Sequence, residues 1–538
     1  MDVRFYRDNP YGSVGLASQE EIYSFNNPNG PVAMLDDKVL RFPDQEPSIV
    51  IGGAGSAKFS ALGAYQLVHP STHSFFILDV GGQYQSTNFH WNVAEGRKAY
   101  SINPYGISSY PDINHAVNLW GILKDDEYLF DNAKRIMEMG VTDKDMDGDN
   151  AWVPKGAKRW GTRMLIALVF LDGRVTPCSF WEALNRIETD DDYLKALGRS
   201  TEGLPFEVYS AFVEMYSKKH NSEKEWGAIF GCLKDNFDWL SSPKVAVSVS
   251  GEEDFLLDLS NPDKKVGVYY ALPGGSSKFN ESLTRMVVGI AQLHCVRAGM
   301  GARPLFYIEE AASLGAADFI KSAVSEYRKY FRTILIYQSY GQLEGLFGKA
   351  GAQEIIDSCG MQLYMGGGIR EITSAQRLAE TIGKITIHVD DAMAQAEHLH
   401  KSQQGWVDAL LHGGDPLKAA HLQIHESRQS DQQRKTGRYA IDAAEILNLK
   451  DEVLIVSPGS GIAPMLAKKL PAYWTNSAMA GRYGPDPLFP PLDRVVTQGW
   501  FFKRTRRFIR DRVPEYLADW PNHSNGQIAY VQGYKTWN

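Results

Sequence analysis

Three groups of residues have the types and spacing to handle a phosphorylated nucleotide. The first is the run Gly52-Gly53-Ala54-Gly55-Ser56-Ala57-Lys58-Phe59-Ser60. A phosphate-binding loop of the form GxxxxGK[ST] surrounds phosphates with backbone N–H groups while its lysine neutralises their charge. Gly52 and Lys58 have the required spacing, and the whole run from Gly52 to Ser60 is expected to contact nucleotide. Two positions depart from the pattern. Ala57 adds a methyl where the backbone calls for a glycine conformation. Phe59 cannot ligate magnesium, a role open to Ser60 if the helix start is shifted.

The second group is Leu305-Phe306-Tyr307-Ile308-Glu309-Glu310. An apolar strand ending in two acids supports magnesium through water with its first acid and polarises the attacking water with its second. Glu309 would be the metal-supporting acid and Glu310 the catalytic one, Glu309 being one methylene longer than the usual aspartate. A helix N-terminus that favours acids is the plainer alternative. The third group is Gln338, at the end of the apolar run Thr333–Tyr337, with Arg328 and Arg332 before it. Gln338 would face the γ-phosphate, and Arg328 would reach a neighbouring subunit's site.

These groups need elements to position them. Ser48–Ile51 predicts a strand running into the glycine loop, then a helix through Leu67, then a strand from Ser74 to Asp79. Strand, loop, helix and strand open a parallel α/β domain. From about Tyr105 to Ser242 the pattern turns helical: His115–Leu123, Tyr128–Met139, Ala157–Leu171, Phe180–Ile187, Phe206–Tyr216 and Glu223–Leu240. Strands then resume at Val266–Leu272, Pro304–Ile308, Thr333–Tyr337, Met361–Met365 and Glu452–Val456. The expected organisation is a lead-in over 1–35, a discontinuous nucleotide domain over 36–104 and 243–475, and an all-helical domain over 105–242. A tail over 476–538 carries a basic segment. The Gln/Ser-rich stretch from Trp406 to Gln433 predicts a mobile loop.

With 538 residues the chain is long enough for two or three domains. A formal net charge of −8 argues against a protein that coats nucleic acid over its whole surface, while leaving room for a local basic groove or pore. Cys178, Cys232, Cys295 and Cys359 form no CxxC pair, the pattern of buried thiols in a reducing compartment. The longest aliphatic run, Met164–Leu171, is far short of the ~20 residues of a membrane helix. A soluble, cytoplasmic chain is expected.

The motifs together resemble the coupling proteins of type IV secretion systems, the TraG/TraD type of conjugative DNA-transfer ATPase. The resemblance rests on YGSVGLASQEEI, FILDVGGQY, WGTRMLIALVF, GVYYALPGGSSKFNESLTRMVVGIAQ, IEEAASLGAADFIKSAVSEYRKYFRTILIYQSYGQLEGLFG and IIDSCGMQLYMGG, in that order. It covers nearly all of residues 10–475. Asp79 is kept at the strand end where the family usually has DIKGE, but Gly82 (or Gly81) and Gln83 replace its Lys and Glu. The family usually begins with membrane helices, which this sequence lacks. The resemblance implies a RecA-like P-loop domain with a mainly parallel sheet, helices on both faces and an inserted all-helical domain. It implies ATP and Mg2+ as cofactors and a homo-hexameric ring. The implied partners are a relaxase with single-stranded DNA and the components of a secretion channel at the inner membrane's cytoplasmic face.

Other features are weaker. Asp143–Asn150 imitates the start of a calcium loop, but its twelfth position is Pro154 instead of glutamate, favouring a solvated acidic loop. His398 and His400 have a spacing that binds metal on a strand, but no carboxylate or Cys partner stands at a matching spacing, and a polar helix face is the expectation. Phe501-Phe-Lys-Arg-Thr-Arg-Arg-Phe-Ile-Arg510 interleaves aromatic and basic residues; as a helix it would suit a peripheral membrane contact or a nucleic-acid backbone. Two rivals to the DNA-transfer motor stand beside it. One is a non-hydrolysing adaptor that keeps the fold, and the other a different RecA-like DNA translocase.

Overall fold

The computed structural model describes residues 29–35, 38–43, 46–68, 74–108, 113–124, 126–142, 150–274, 280–389, 392–412, 414–430, 434–458, 462–473, 476, 479, 482–483, 494–498, 502–512 and 527–531. Short β-branched and aromatic runs form the strands. These are β1 (Pro31–Leu35), β2 (Lys38–Arg41), β3 (Ser48–Ile51), β4 (Phe75–Val80), β5 (Lys98–Ile102), β6 (Val266–Leu272), β7 (Leu305–Ile308), β8 (Arg332–Tyr337) and β9 (Met361–Met365). A separate ribbon of β10 (Lys384–Val389) and β11 (Arg434–Tyr439) follows, then β12 (Val453–Pro458) and β13 (Met465–Lys469).

The main sheet has 11 strands in the order β2-β1-β13-β12-β9-β3-β8-β7-β4-β6-β5. From β9 to β5 every pairing is parallel, while β12, β13, β1 and β2 extend the sheet antiparallel. Side chains alternate between two cores. Ile49, Phe76, Leu78 and Phe306 face one, and Val50, Phe75, Ile77 and Tyr307 face the other. Burial on both faces explains why these strands are continuously apolar.

A π-helical turn (Phe59–Gly63) leads into α1 (Ala64–Val68), which with α2 (Gln83–Ala94) covers the second face. The helical region follows as α3 (Leu129–Gly140), α4 (Trp152–Asp172), α5 (Pro177–Thr189), α6 (Asp191–Ser200), α7 (Phe206–Asn221), α8 (Glu223–Asn236) and α9 (Pro243–Val249). Helix α4 is its axis: Trp160, Met164, Leu165 and Ile166 are fully buried, and α3, α6, α7 and α8 pack round it. The start of α5 is set by a capping box between Thr176 and Ser179 with Pro177 in the first turn, and that of α6 by Asp190 accepting from the Tyr193 amide. The chain then forms α10 (Glu281–Ala298), α11 (Asp318–Val324), α12 (Tyr340–Ser358), α13 (Ile372–Ile382), α14 (Ala392–Leu411), α15 (Pro416–Ser430) and α16 (Ala443–Leu447).

Several expectations are corrected. Pro31–Leu35, read as lead-in, is strand β1. His115–Leu123 is not a helix; its apolar residues are buried because the segment is a strap that runs extended to Asn118 and then turns, with Val117 and Leu119 amides donating to Ser248 and Val249. The stretch from Trp406, read as a mobile loop, belongs to the hairpin of α14 and α15, where Trp406 Nε1 donates to Gln423 Oε1 at 2.7 Å. Its Gln, Ala, Leu and Lys are good helix formers despite their polarity. The basic tail is a strand, β15 (Lys503–Arg512), between β14 (Arg494–Gln498) and β16 (Gln527–Val531) in a 3-stranded sheet. Phe501 and residues 143–149 of the acidic loop lie outside the described residues. His398 and His400 lie on helix α14, in keeping with the helix expected there.

Candidate nucleotide site

Parallel sheets place ligands outside the carboxyl ends of their strands, and the residues singled out from sequence converge there. The loop from Gly52 leaves β3, Asp79 is the last residue but one of β4, Glu309 and Glu310 follow β7, and Gln338 follows β8.

The loop is held by its neighbours. The Gly52 amide donates to the Tyr337 carbonyl and the Gly53 amide to the Gly368 carbonyl, both at 3.0 Å. A Cβ on Gly53 would fall 2.4 Å from the Gly368 oxygen, so both loops need glycine to approach this closely. Ser56 is buried and its hydroxyl donates to the Gly53 carbonyl at 2.8 Å. Ala54 and Gly55 form the exposed tip. Ala57 has φ +64°, so the loop keeps the left-handed turn expected of a glycine although a methyl is present.

Lys58 Nζ donates back to the Gly52 and Gly53 carbonyls at 2.6 and 2.8 Å. Burial lowers its pKa, and the negative charges of Glu310 and Glu309 partly offset that. Phe59 does not face the phosphate side. It is buried edge-on against Tyr84 (4.6 Å between ring centroids) and Tyr473 (5.6 Å), and it opens the π-helical turn. Ser60 lies one residue further along that turn and is also buried. A π-turn holds one residue more per hydrogen-bonded ring than an α-turn, which lets an aromatic side chain enter the core at the loop's exit.

Asp79 is fully buried, and its two carboxylate oxygens accept from the Tyr84 and Gln85 amides at 3.0 and 2.8 Å. It caps α2, with Gly82 at φ +69° ahead of the first turn. Glu309 has a covered Oε2 with no hydrogen-bond partner. Burial first, then the charges of Asp79 and Glu310, push its pKa well above the usual carboxylate range. A covered, unpartnered carboxylate oxygen among other acids is chemically suited to a cation. Among the described residues no group of three or more His, Cys, Asp or Glu side chains forms a protein-only metal cage. Carboxylate oxygens are the donors that suit magnesium, which keeps waters and shares phosphate oxygens. Glu310 accepts from Gln338 Nε2 at 3.2 and 3.3 Å and from Gln342 Nε2 at 3.3 Å.

Arg328 stands apart. It is exposed in the turn before β8, so about six residues of strand, on the order of 20 Å, separate it from the Gln338 end. Sequence reading missed two further parts of the site. The turn Gly366–Gly368 after β9 braces the phosphate loop, and Lys469 at the end of β13 donates to the Ser56 and Gly366 carbonyls at 2.8 and 2.9 Å. The GGG run after Met365 was the only signal for the first. Lys469 lies on the antiparallel extension of the sheet and had none.

Comparison with known proteins is consistent with this geometry. The profile of the family described as "Type IV secretory system Conjugative DNA transfer" matches residues 19–407. The type IV secretion system-coupling protein VirD4 of Bartonella henselae (strain ATCC 49882 / DSM 28221 / CCUG 30454 / Houston 1) is 27% identical over 241 residues, 44% of this chain and 35% of the relative. That of Bartonella quintana (strain Toulouse) is 27% identical over 197 residues, 36% of this chain and 29% of the relative. The matched segments thus span about a third of those relatives' length. Among solved structures, the bacterial conjugative coupling protein TrwBdeltaN70 in complex with sulphate superposes with a TM-score of 0.59 at 14% identity, covering 86% of this chain and 95% of that one. Plasmid coupling protein TrwB in complex with ADP and Mg2+ gives a TM-score of 0.55 at 15% identity, covering 86% and 96%. The fold is therefore the RecA-like P-loop type, a mainly parallel sheet with helices on both faces and a helical region inserted between β5 and β6.

Proposed function

The chain belongs to the type IV secretory conjugative DNA-transfer family, and from that premise we propose that it is a coupling protein driven by ATP. It would recruit relaxase-bound single-stranded DNA, or a protein substrate, and deliver it to the channel of a type IV secretion system. The observation that carries this reading is the convergence of Lys58, Glu310 and Gln338 at the ends of three adjacent parallel strands. A scaffold has no use for that trio.

Bound Mg2+ and ATP supply the phosphoanhydride and the charge neutralisation of its cleavage. The run Gly52–Ser60 would surround the phosphates, with Lys58 leaving the Gly52 and Gly53 carbonyls to reach them. Glu309 would support the metal through water, and Ser60 is the hydroxyl left for it after Phe59. Glu310 would take the proton of the attacking water, held in place by Gln338 and Gln342. Arg328, exposed at the far end of β8, would serve only a neighbouring subunit's site, as a homo-hexameric ring allows.

Among the described residues no single helix is long and apolar enough to cross a membrane. At the cytoplasmic face of the inner membrane the chain would act through partners, aided by the basic strand β15, whose Arg506 and Arg507 pair with Val495 and Arg494. One observation favours the non-hydrolysing adaptor as a second reading: Phe59 removes the hydroxyl that normally ligates magnesium.

The deciding measurement is ATP turnover by the purified protein, with and without single-stranded DNA, beside Lys58→Ala. DNA-stimulated turnover abolished by that change supports the motor. Absence of both turnover and nucleotide binding leaves the adaptor. Native mass measurement with and without DNA tests the ring, and a persistent monomer excludes Arg328 as a trans-acting group.

A further inference from the structure

A second lysine shares the phosphate loop. Lys469 closes β13, fixed by its amide hydrogen bond to the Glu452 carbonyl (2.8 Å) and by pairing with Ala33 of β1. Its side chain bridges two loops, donating to the Ser56 carbonyl at 2.8 Å and the Gly366 carbonyl at 2.9 Å. The Ser56 carbonyl belongs to the peptide that enters Ala57. Its direction is tied to the φ of Ala57, which is +64°. An alanine resists that turn and a glycine does not.

We propose that Lys469 is a positioning residue of the phosphate loop, whose ammonium group holds the Ser56–Ala57 peptide in the left-handed turn that a glycine at position 57 would adopt unaided. The departure from the standard loop and the extra lysine are then one device. The inference rests on the nucleotide-binding reading of this loop. Among the described residues two charged groups face Lys469: Asp451 from the turn before β12, and Lys58 from the loop itself. Burial and Lys58 lower its pKa to about 8, with Asp451 opposing. The charged form holds the loop in its binding shape, so affinity falls as pH rises through that value.

The test separates loop order from ligand binding. Hydrogen exchange of the segment 52–61 is measured without nucleotide in wild type, Lys469→Met, Ala57→Gly and the double variant. Lys469→Met is expected to speed exchange about tenfold or more, as for loss of a charged hydrogen bond, and Ala57→Gly to restore protection in the double variant. Unchanged exchange in Lys469→Met, or no restoration by the glycine, overturns the proposal. Should Lys469→Met fail to fold, Lys469→Arg carries the test with a fluorescent ATP analogue. A permanently charged residue should keep the loop protected and remove the loss of affinity near pH 8; an unaltered pH profile overturns the proposal. Failure of wild type to bind the analogue sinks the nucleotide reading and leaves the exchange result standing.

Discussion

Gln338 Nε2 donates to both carboxylate oxygens of Glu310, at 3.2 and 3.3 Å, and so ties the end of β8 to the end of β7. Glu310 is thereby aimed, since Gln342 from the first turn of α12 holds the same carboxylate from a second side. A general base needs this kind of fixed geometry before its pKa matters.

Glu310→Gln should leave nucleotide affinity within about twofold and cut turnover by about 10²-fold or more. Gln338→Ala should cut turnover less, because Gln342 still orients the acid. Steady-state ATP hydrolysis beside equilibrium nucleotide binding checks both. Equal losses in binding and turnover would contradict the assigned role of Glu310.

Glu309 leads to a prediction of opposite sign for stability and metal response. Its folded-state pKa is raised, so between the ordinary carboxylate pKa and that higher value the folded state holds more protons than the unfolded. Stability contributed by this group therefore falls as pH rises from the ordinary carboxylate value through that window. Glu309→Gln should raise the nucleotide-free Tm at neutral pH and weaken the Mg2+ dependence of nucleotide binding. Thermal melts from pH 5 to 8, and nucleotide titrations with and without Mg2+, measure the two effects.

The parallel sheet was legible because its strands are buried on both faces and read as unbroken apolar runs, as in Phe75–Leu78 and Thr333–Tyr337. Lys58, Glu310 and Gln338 could be found because each follows such a run. The antiparallel extension was less legible. Pro31–Leu35 and Met465–Lys469 are short and half-polar, and they are strands through long-range pairing with one another and, for Met465–Lys469, with β12. Lys469 was lost with them. His115–Leu123 misled for a related reason: burial makes an extended strap as apolar as a helix, and periodicity over nine residues does not separate the two.

Phe59 stands where a hydroxyl would complete the standard loop, yet restoring one should not help. Its ring is buried against Tyr84 and Tyr473, and truncating a buried phenylalanine costs about 3–5 kcal/mol. Phe59→Ser should lower Tm sharply and leave ATP turnover no higher than wild type. Turnover that rises in this variant would mean that the loop can rearrange around the smaller side chain.

Lys58 and Lys469 give the nucleotide-free protein an alkaline dependence opposite to that of its affinity. Both pKa values are lowered in the folded state, Lys469 to about 8 and Lys58 chiefly by burial. Between each folded value and the ordinary lysine value the unfolded chain binds more protons, so stability from these groups rises with pH. Cys295 and Cys359 act the other way, because burial raises their pKa and their contribution is lost above the ordinary thiol value. The difference between wild type and a lysine variant isolates the lysine. The Tm difference between Lys469→Met and wild type should therefore be more positive at pH 7 than at pH 10. Nucleotide affinity should show the reverse slope, strongest where both lysines are charged and falling above pH 8. A wild-type affinity that is flat from pH 7 to 9.5 would deny both lysine charges a part in nucleotide binding.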